Sequence, residues 1–228
     1  MTITQFHTEF KVRVDKIDAL LLPNLLSSEI DLLLNQAQDR FVKQRYGKTN
    51  VKRESFEETQ KRIDDLKTIT RQVTLAPAAY AIDNIDVNAR FFTLPSDYWF
   101  IIQERAQITY LDCKEASVTD IVEVRPIEHN EVSKILRDPF RKPNTSKVLR
   151  LMENGRTELI TAPSVTLNSY TLRYIKEPIR MSLSGSVTCE LSSHTHTEIV
   201  DLAVSIALEY VESKRTPGFN TNSLSSNE

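Results

Sequence analysis

THTEIVDLAVSIALEYV, residues 195–211, places Ile199, Leu202, Ala203, Ile206, Ala207 and Tyr210 on one helical stripe, with Val200, Val204, Leu208 and Val211 on a second stripe beside it. A helix that is apolar around most of its circumference must be covered on several sides. Thr195-His196-Thr197-Glu198 has the form of a capping box and predicts where it starts. The cover has to come from other helices, and the first third of the chain supplies them. Phe10, Val14, Ile17 and Leu21 recur at helical spacing up to Pro23. Ile30, Leu33, Leu34, Ala37 and Phe41 form the stripe of a second helix, which Ser27 or Ser28 can cap and Gly47 can close in a left-handed conformation. A third helix is predicted from the capping box Ser55-Phe56-Glu57-Glu58 to about Val73, with Phe56, Ile63, Leu66 and Val73 inward.

The period changes after Pro77. Gln103, Arg105, Gln107 and Thr109 alternate with Ala106, Ile108 and Tyr110, and Val122–Arg125 repeats the pattern, as half-buried strands do. Lys147–Met152 and Thr157–Thr161 flank Asn154-Gly155, a pair that tolerates the positive φ of a type I′ hairpin turn. A strand through Tyr170, Leu172 and Tyr174 continues to Pro178, and residues 129–137 read as a short helix with Val132, Ile135 and Leu136 on one side. The predicted class is α+β. Residues 1–75 and 195–215 form a helical bundle, and a β-rich antiparallel sheet or barrel, 76–194, is inserted between them. Residues 216–228, TPGFNTNSLSSNE, have the composition of an extended arm.

Composition narrows the chemistry. The 228 residues carry 29 basic and 31 acidic side chains, a net charge of −2, so no global field favours nucleic acid or anionic lipid. A mean hydropathy of −0.34 and the lack of a long apolar run predict no membrane span, and the N-terminus shows no secretory signal, so the expected compartment is the cytoplasm. Four isolated glycines cannot build a phosphate cradle, which argues against nucleotide-binding loops. Cys113 and Cys189 are far apart, and both are expected as buried free thiols. His194 and His196 with Cys189 and Glu190 offer zinc-ligand chemistry but no complete set of four, and His7 and His129 stand apart. Asp83, Asp86 and Asn88 lack the glycine and terminal glutamate of a calcium loop and read as a polar turn before a strand. No G-x-S-x-G or cysteine–histidine neighbour is present, so no catalytic residue and no cofactor are assigned, and the chain is not read as an enzyme.

One charge feature is local. Arg40, Lys43, Arg45, Lys48, Lys52 and Arg53 put six basic residues into fourteen with no acid. They are candidates for contact with an acidic neighbouring protein or with phosphate. In the arm, Phe219 and Leu224 are the candidate anchors, because thirteen residues this polar cannot offset their ordering cost alone.

Longer strings carry a resemblance. EIDLLLNQAQDRFVKQRYG (29–47), FEETQKRIDDLKTI (56–69), LPSDYWFIIQERAQI (94–108), RYIKEPIRM (173–181) and HTEIVDLAVSIALE (196–209) resemble head–tail connector proteins of crAss-like bacteriophages. The resemblance runs from about Phe10 to Arg215. It implies a virion protein of the neck, a portal adaptor forming a dodecameric ring. Its implied partners are its own copies, the portal and the next tail ring, with DNA passing through the lumen without sequence-specific binding and no membrane contact. It assigns no contact residues. Two rivals from other classes are a nucleic-acid-binding regulator using residues 40–53 and a hydrolase with a non-contiguous site.

Overall fold

The computed structural model describes residues 1–18, 25–47, 56–78 and 86–210. The chain divides into two compact units. One comprises Met1–Ile69 with Pro178–Glu228, the other Thr70–Glu177. The changeovers fall at Ile69/Thr70 and Glu177/Pro178, whereas the sequence pattern places them at 75 and 194.

The helices of the first unit are α1 (Ile3–Asp18), α2 (Ser27–Tyr46), α3 (Gln60–Leu66) and α4 (His196–Tyr210). The stripe of α1 buries Phe6, Phe10 and Val14, and that of α2 buries Ile30, Leu34, Ala37 and Phe41. Between them α4 is buried over most of its turns, from Ile199 and Val200 through Leu202–Leu208, and it packs against both α2 and α1. Several helix ends differ from expectation. Leu26 stands at the N-cap of α2, its N–H bonded to the Glu29 carboxylate at 2.7 Å. Gly47 ends α2 at φ −81°, an extended and not a left-handed residue. Thr195 belongs to a short 3-10 turn and donates its hydroxyl to the Ser192 carbonyl, so α4 begins one residue later. Leu21, Pro23 and Ser55 lie outside the described residues.

A polar ladder on α2 holds the segment that returns from the β unit. Asp31 accepts the Leu183 N–H and the His7 Nε2–H, and Gln38 donates to the Ile179 carbonyl at 3.1 Å. Asn35 lies between them and engages Met181. Asp39 continues the row with an ion pair to Arg180 at 2.7 Å. These side chains act where a neighbouring strand would, satisfying backbone groups of a segment that has no sheet to join.

In the second unit, β1 (Thr70–Leu75), β2 (Ala89–Thr93), β3 (Tyr98–Leu111), β4 (Ser117–Pro126), β5 (Lys147–Glu153), β6 (Arg156–Ile160) and β7 (Val165–Lys176) form one seven-stranded sheet in the order β1-β7-β3-β4-β5-β6-β2. The first residues of β1 pair with the last of β7, Thr70 opposite Ile175, so the chain enters and leaves this unit on neighbouring strands. The sheet curls. Ala78, just past β1 at one margin, donates its N–H to the Phe91 carbonyl of β2 at the other, at 2.8 Å. Its interior holds Phe92, Ala106, Ile108, Val124, Tyr170 and Leu172.

Two expectations are corrected here. The third helix does not run to Val73: it stops at Leu66, and Thr70–Leu75 is β1. Thr70, Val73 and Thr74 are β-branched and prefer a pleated surface, and β7 offers the partner. The sheet is also mixed. β4 and β5 run parallel, Glu123 opposite Lys147, because residues 127–146, with the short helix α5 (Val132–Arg137), carry the chain back across before β5 begins. Asn154 and Gly155 turn the β5–β6 hairpin at φ 44° and 71°. Asn88 bonds Asp86 Oδ1 through both its backbone and side-chain nitrogens, a polar turn before β2. Cys113, expected inside, is exposed in the β3–β4 turn, while Cys189 is buried.

Candidate assembly surfaces

The core stripe of α2 fixes which residues of the basic segment face outward. Gln36, Asp39, Arg40, Lys43 and Gln44 line a shallow depression of about 420 Å³ on its outer side. Arg40 lies 3.8 Å from Glu209, both side chains nearly half exposed, so the pair is loose and screened. Arg45 points the other way. It is in phase with Phe41, stacks over that ring at 4.7 Å, and ion-pairs with Asp65 at 2.9 Å and with Glu198. Asp65 has no exposed surface and also accepts the His194 Nε2–H at 2.8 Å, and Lys61 reaches Glu198 at 3.6 Å. The charge of Arg45 is thus used within the fold. The structure separates Arg45 from Arg40 and Lys43, which share the outer side of α2. Lys48, Lys52, Arg53, Phe219 and Leu224 lie outside the described residues.

The zinc chemistry weighed from the sequence disperses into separate hydrogen bonds. His194 is on Asp65. His196 donates Nε2–H to the Leu191 carbonyl at 3.0 Å and accepts the Met1 amino group on Nδ1 at 2.9 Å. Cys189 donates to Gln38 Oε1, and burial pushes its thiol up to about 11, which makes it a poor nucleophile. Among the described residues no three histidine, cysteine or carboxylate side chains gather as a metal site.

Sequence reasoning missed one buried polar cluster. Glu104 accepts the Tyr170 hydroxyl on one carboxylate oxygen and pairs with Arg150 at 3.2 Å on the other. Burial raises its pKa, against the lowering effect of those two partners, and burial together with the Glu104 charge raises that of Tyr170. The Tyr170 ring lies against Phe92, centroids 5.4 Å apart. Both carboxylate oxygens are occupied from within the chain, so the cluster ties β3, β5 and β7 together. Its signal was legible: Glu104 falls in phase with Ala106 and Ile108, the inward side of β3.

Several large apolar side chains are also outward. Leu111, Ile121 and Phe140 of the β unit are 67%, 63% and 90% exposed. No described helix is long and apolar enough to cross a membrane.

Residues 1–217 match the family described as phage tail ring protein 3/4. The chain belongs to that family. Two curated relatives come from Bacteroides phage crAss001. Its ring protein 4/5 is 27% identical over 235 aligned residues, 91% of this chain and 92% of the relative. Its ring protein 3 is 27% identical over 229, 91% of this chain and 95% of the relative. The description of this ring family names a structural part of a phage tail and no reaction, in agreement with the reading of the sequence as a crAss-like phage structural protein.

Proposed function

We propose that the chain is the subunit of a closed ring in the neck of a crAss-like phage, a head–tail connector of about twelve copies that joins the portal to the next tail ring and encloses the DNA path. The observation that carries this reading is the extent of the family match, which takes in both compact units and the returning helix α4. The match extends over 92% and 95% of each relative's own length, which supports carrying the ring reading over both units. The neck position, the portal and the copy number are what the resemblance read in the sequence implies, and in this reading assembly takes place in the host cytoplasm.

In this reading Arg40 and Lys43 on the outer side of α2, together with Lys48, Lys52 and Arg53, form a contact for an acidic neighbour. A protein neighbour is favoured over DNA, because a channel that gripped phosphates tightly would hinder DNA passage. Phe219 and Leu224 anchor the arm on an adjoining subunit or on the portal. The test is a phage carrying Lys48→Glu, Lys52→Glu and Arg53→Glu together. The variant protein should fold as before yet fail to enter particles. Particles of normal composition would overturn the assignment of this segment.

A further inference from the structure

Phe140 is 90% exposed, the most exposed large apolar side chain among the described residues, yet its backbone is held firmly. Its N–H bonds Asp138 Oδ1 at 2.9 Å, and its carbonyl accepts Lys147 Nζ at 2.7 Å. Asn144 Oδ1 gathers the Ser146 N–H, the Ser146 hydroxyl and the Lys147 N–H between 2.8 and 3.0 Å. Pro139 and Pro143 bracket the segment. A loop built this tightly around an aromatic ring in water is prepared to lose that ring from solvent without further ordering cost. Residues 131–147 carry five basic side chains against two acidic ones, so the ring is presented in a positive setting.

The same unit carries the opposite surface. The β3–β4 hairpin, residues 111–123, has four acidic side chains, Asp112, Glu115, Asp120 and Glu123, against one basic, Lys114. Thr109 lies opposite Thr119 and Gln107 opposite Ile121, and the Thr109 and Thr119 hydroxyls meet at 3.0 Å, which puts Leu111, Thr109, Thr119 and Ile121 on one outward face. Leu111 and Ile121, both mostly exposed, stand on either side of the threonine pair, where Asn168 Nδ2 also donates to the Thr109 hydroxyl at 2.7 Å.

We infer that the Phe140 loop of one copy docks on the β3–β4 hairpin of the next, the ring seated on the Thr109–Thr119 pair between Leu111 and Ile121. Arg137 and Lys142 then face Asp112 and Glu115, while Arg141 and Glu123 keep their exposed pairs with Glu131 at 3.2 Å and Arg125 at 3.7 Å. The inference rests on the ring reading and says which surfaces close it. The occupant is a second copy because each half of the contact supplies the charge that the other lacks. Two different patches of one chain make a head-to-tail contact, the kind that generates rings, and not the self-complementary kind that stops at a dimer.

The test uses Phe140→Asp, Ile121→Asp and their mixture, each as the full chain, with assembly followed by sedimentation velocity and electron microscopy, and thermal unfolding as the folding control. Both substituted residues are exposed, so both variants should unfold like the parent. The parent should form rings. Each variant alone should need about thirtyfold more protein to assemble, the loss of a central aromatic contact. Mixed together, they should pair one to one and stop, since the mixture retains one intact loop and one intact hairpin per pair. Rings from either variant at parental concentration overturn this inference and leave the ring reading standing. Variants that form rings but fail to join other tail proteins also overturn it, by giving the loop a different partner. A parent chain that forms no ring, alone or in particles, overturns the ring reading itself.

Discussion

Asn35 turns both ends of its amide toward one residue of the returning segment: Oδ1 accepts the Met181 N–H at 2.7 Å, and Nδ2 donates to the Met181 carbonyl at 2.9 Å. A side chain thereby makes the pair of bonds that a β-strand neighbour would make. Asn35→Ala strips both partners from a half-enclosed peptide and should cost about 2 kcal/mol in denaturant unfolding. Asn35→Asp keeps the acceptor, loses the donor, and should fall between the two. An alanine variant as stable as the parent would show that the returning segment is held by packing alone.

Arg45 belongs to the interior. Arg45→Ala leaves Asp65, which has no exposed surface, without its cation, and should destabilise the helical unit by about 3–5 kcal/mol. Lys43→Ala, on the exposed outer side of α2, should cost clearly less than Arg45→Ala. Equal effects in chemical denaturation would contradict the separation of these two residues.

His196 makes stability depend on pH. Burial, first, and the nearby Met1 amino group and His194 lower its pKa from the usual 6.5. The unfolded chain therefore takes up a proton near 6.5 that the folded chain takes up only at lower pH. The contribution is complete above 6.5 and is lost as the pH falls through the folded value. The difference in melting temperature between the parent and His196→Gln should be constant above pH 7 and shift against the parent below 6.5. A difference that ignores pH would mean that His196 does not titrate differently on folding.

Gly155 is needed for its backbone. At φ 71°, with nothing within 4 Å of an added Cβ, Gly155→Ala meets no clash, and its cost, about 1 kcal/mol, is conformational only. A neutral substitution, read by thermal unfolding, would show that the turn can relax.

Local pattern made some of this structure legible. The Asn154-Gly155 hairpin and the double stripe of α4 could be read because turn chemistry and helical period are properties of neighbouring residues. β1 could not, since Val73 follows Leu66 at i+7 and extends the stripe of the helix before it. Only pairing with β7, about a hundred residues away, decides for a strand. The parallel β4–β5 pair is equally non-local. Among the candidate contacts, counting basic residues grouped Arg45 with Arg40 and Lys43, although its spacing of four from Phe41 already marked it as inward. The ladder Asp31, Asn35 and Gln38 has a helical period of its own, but a polar stripe means nothing until a segment without a sheet lies against it.

We propose that this chain closes a ring around the DNA path at the neck. Cryo-electron microscopy of intact particles, with density assigned to the fold described here, tests it most directly. The expected result is identical copies in a closed ring coaxial with the portal, between it and the tail, with α4 and the curled sheet recognisable in each. Copies placed off the axis, or density for this fold missing from the particle, would contradict it.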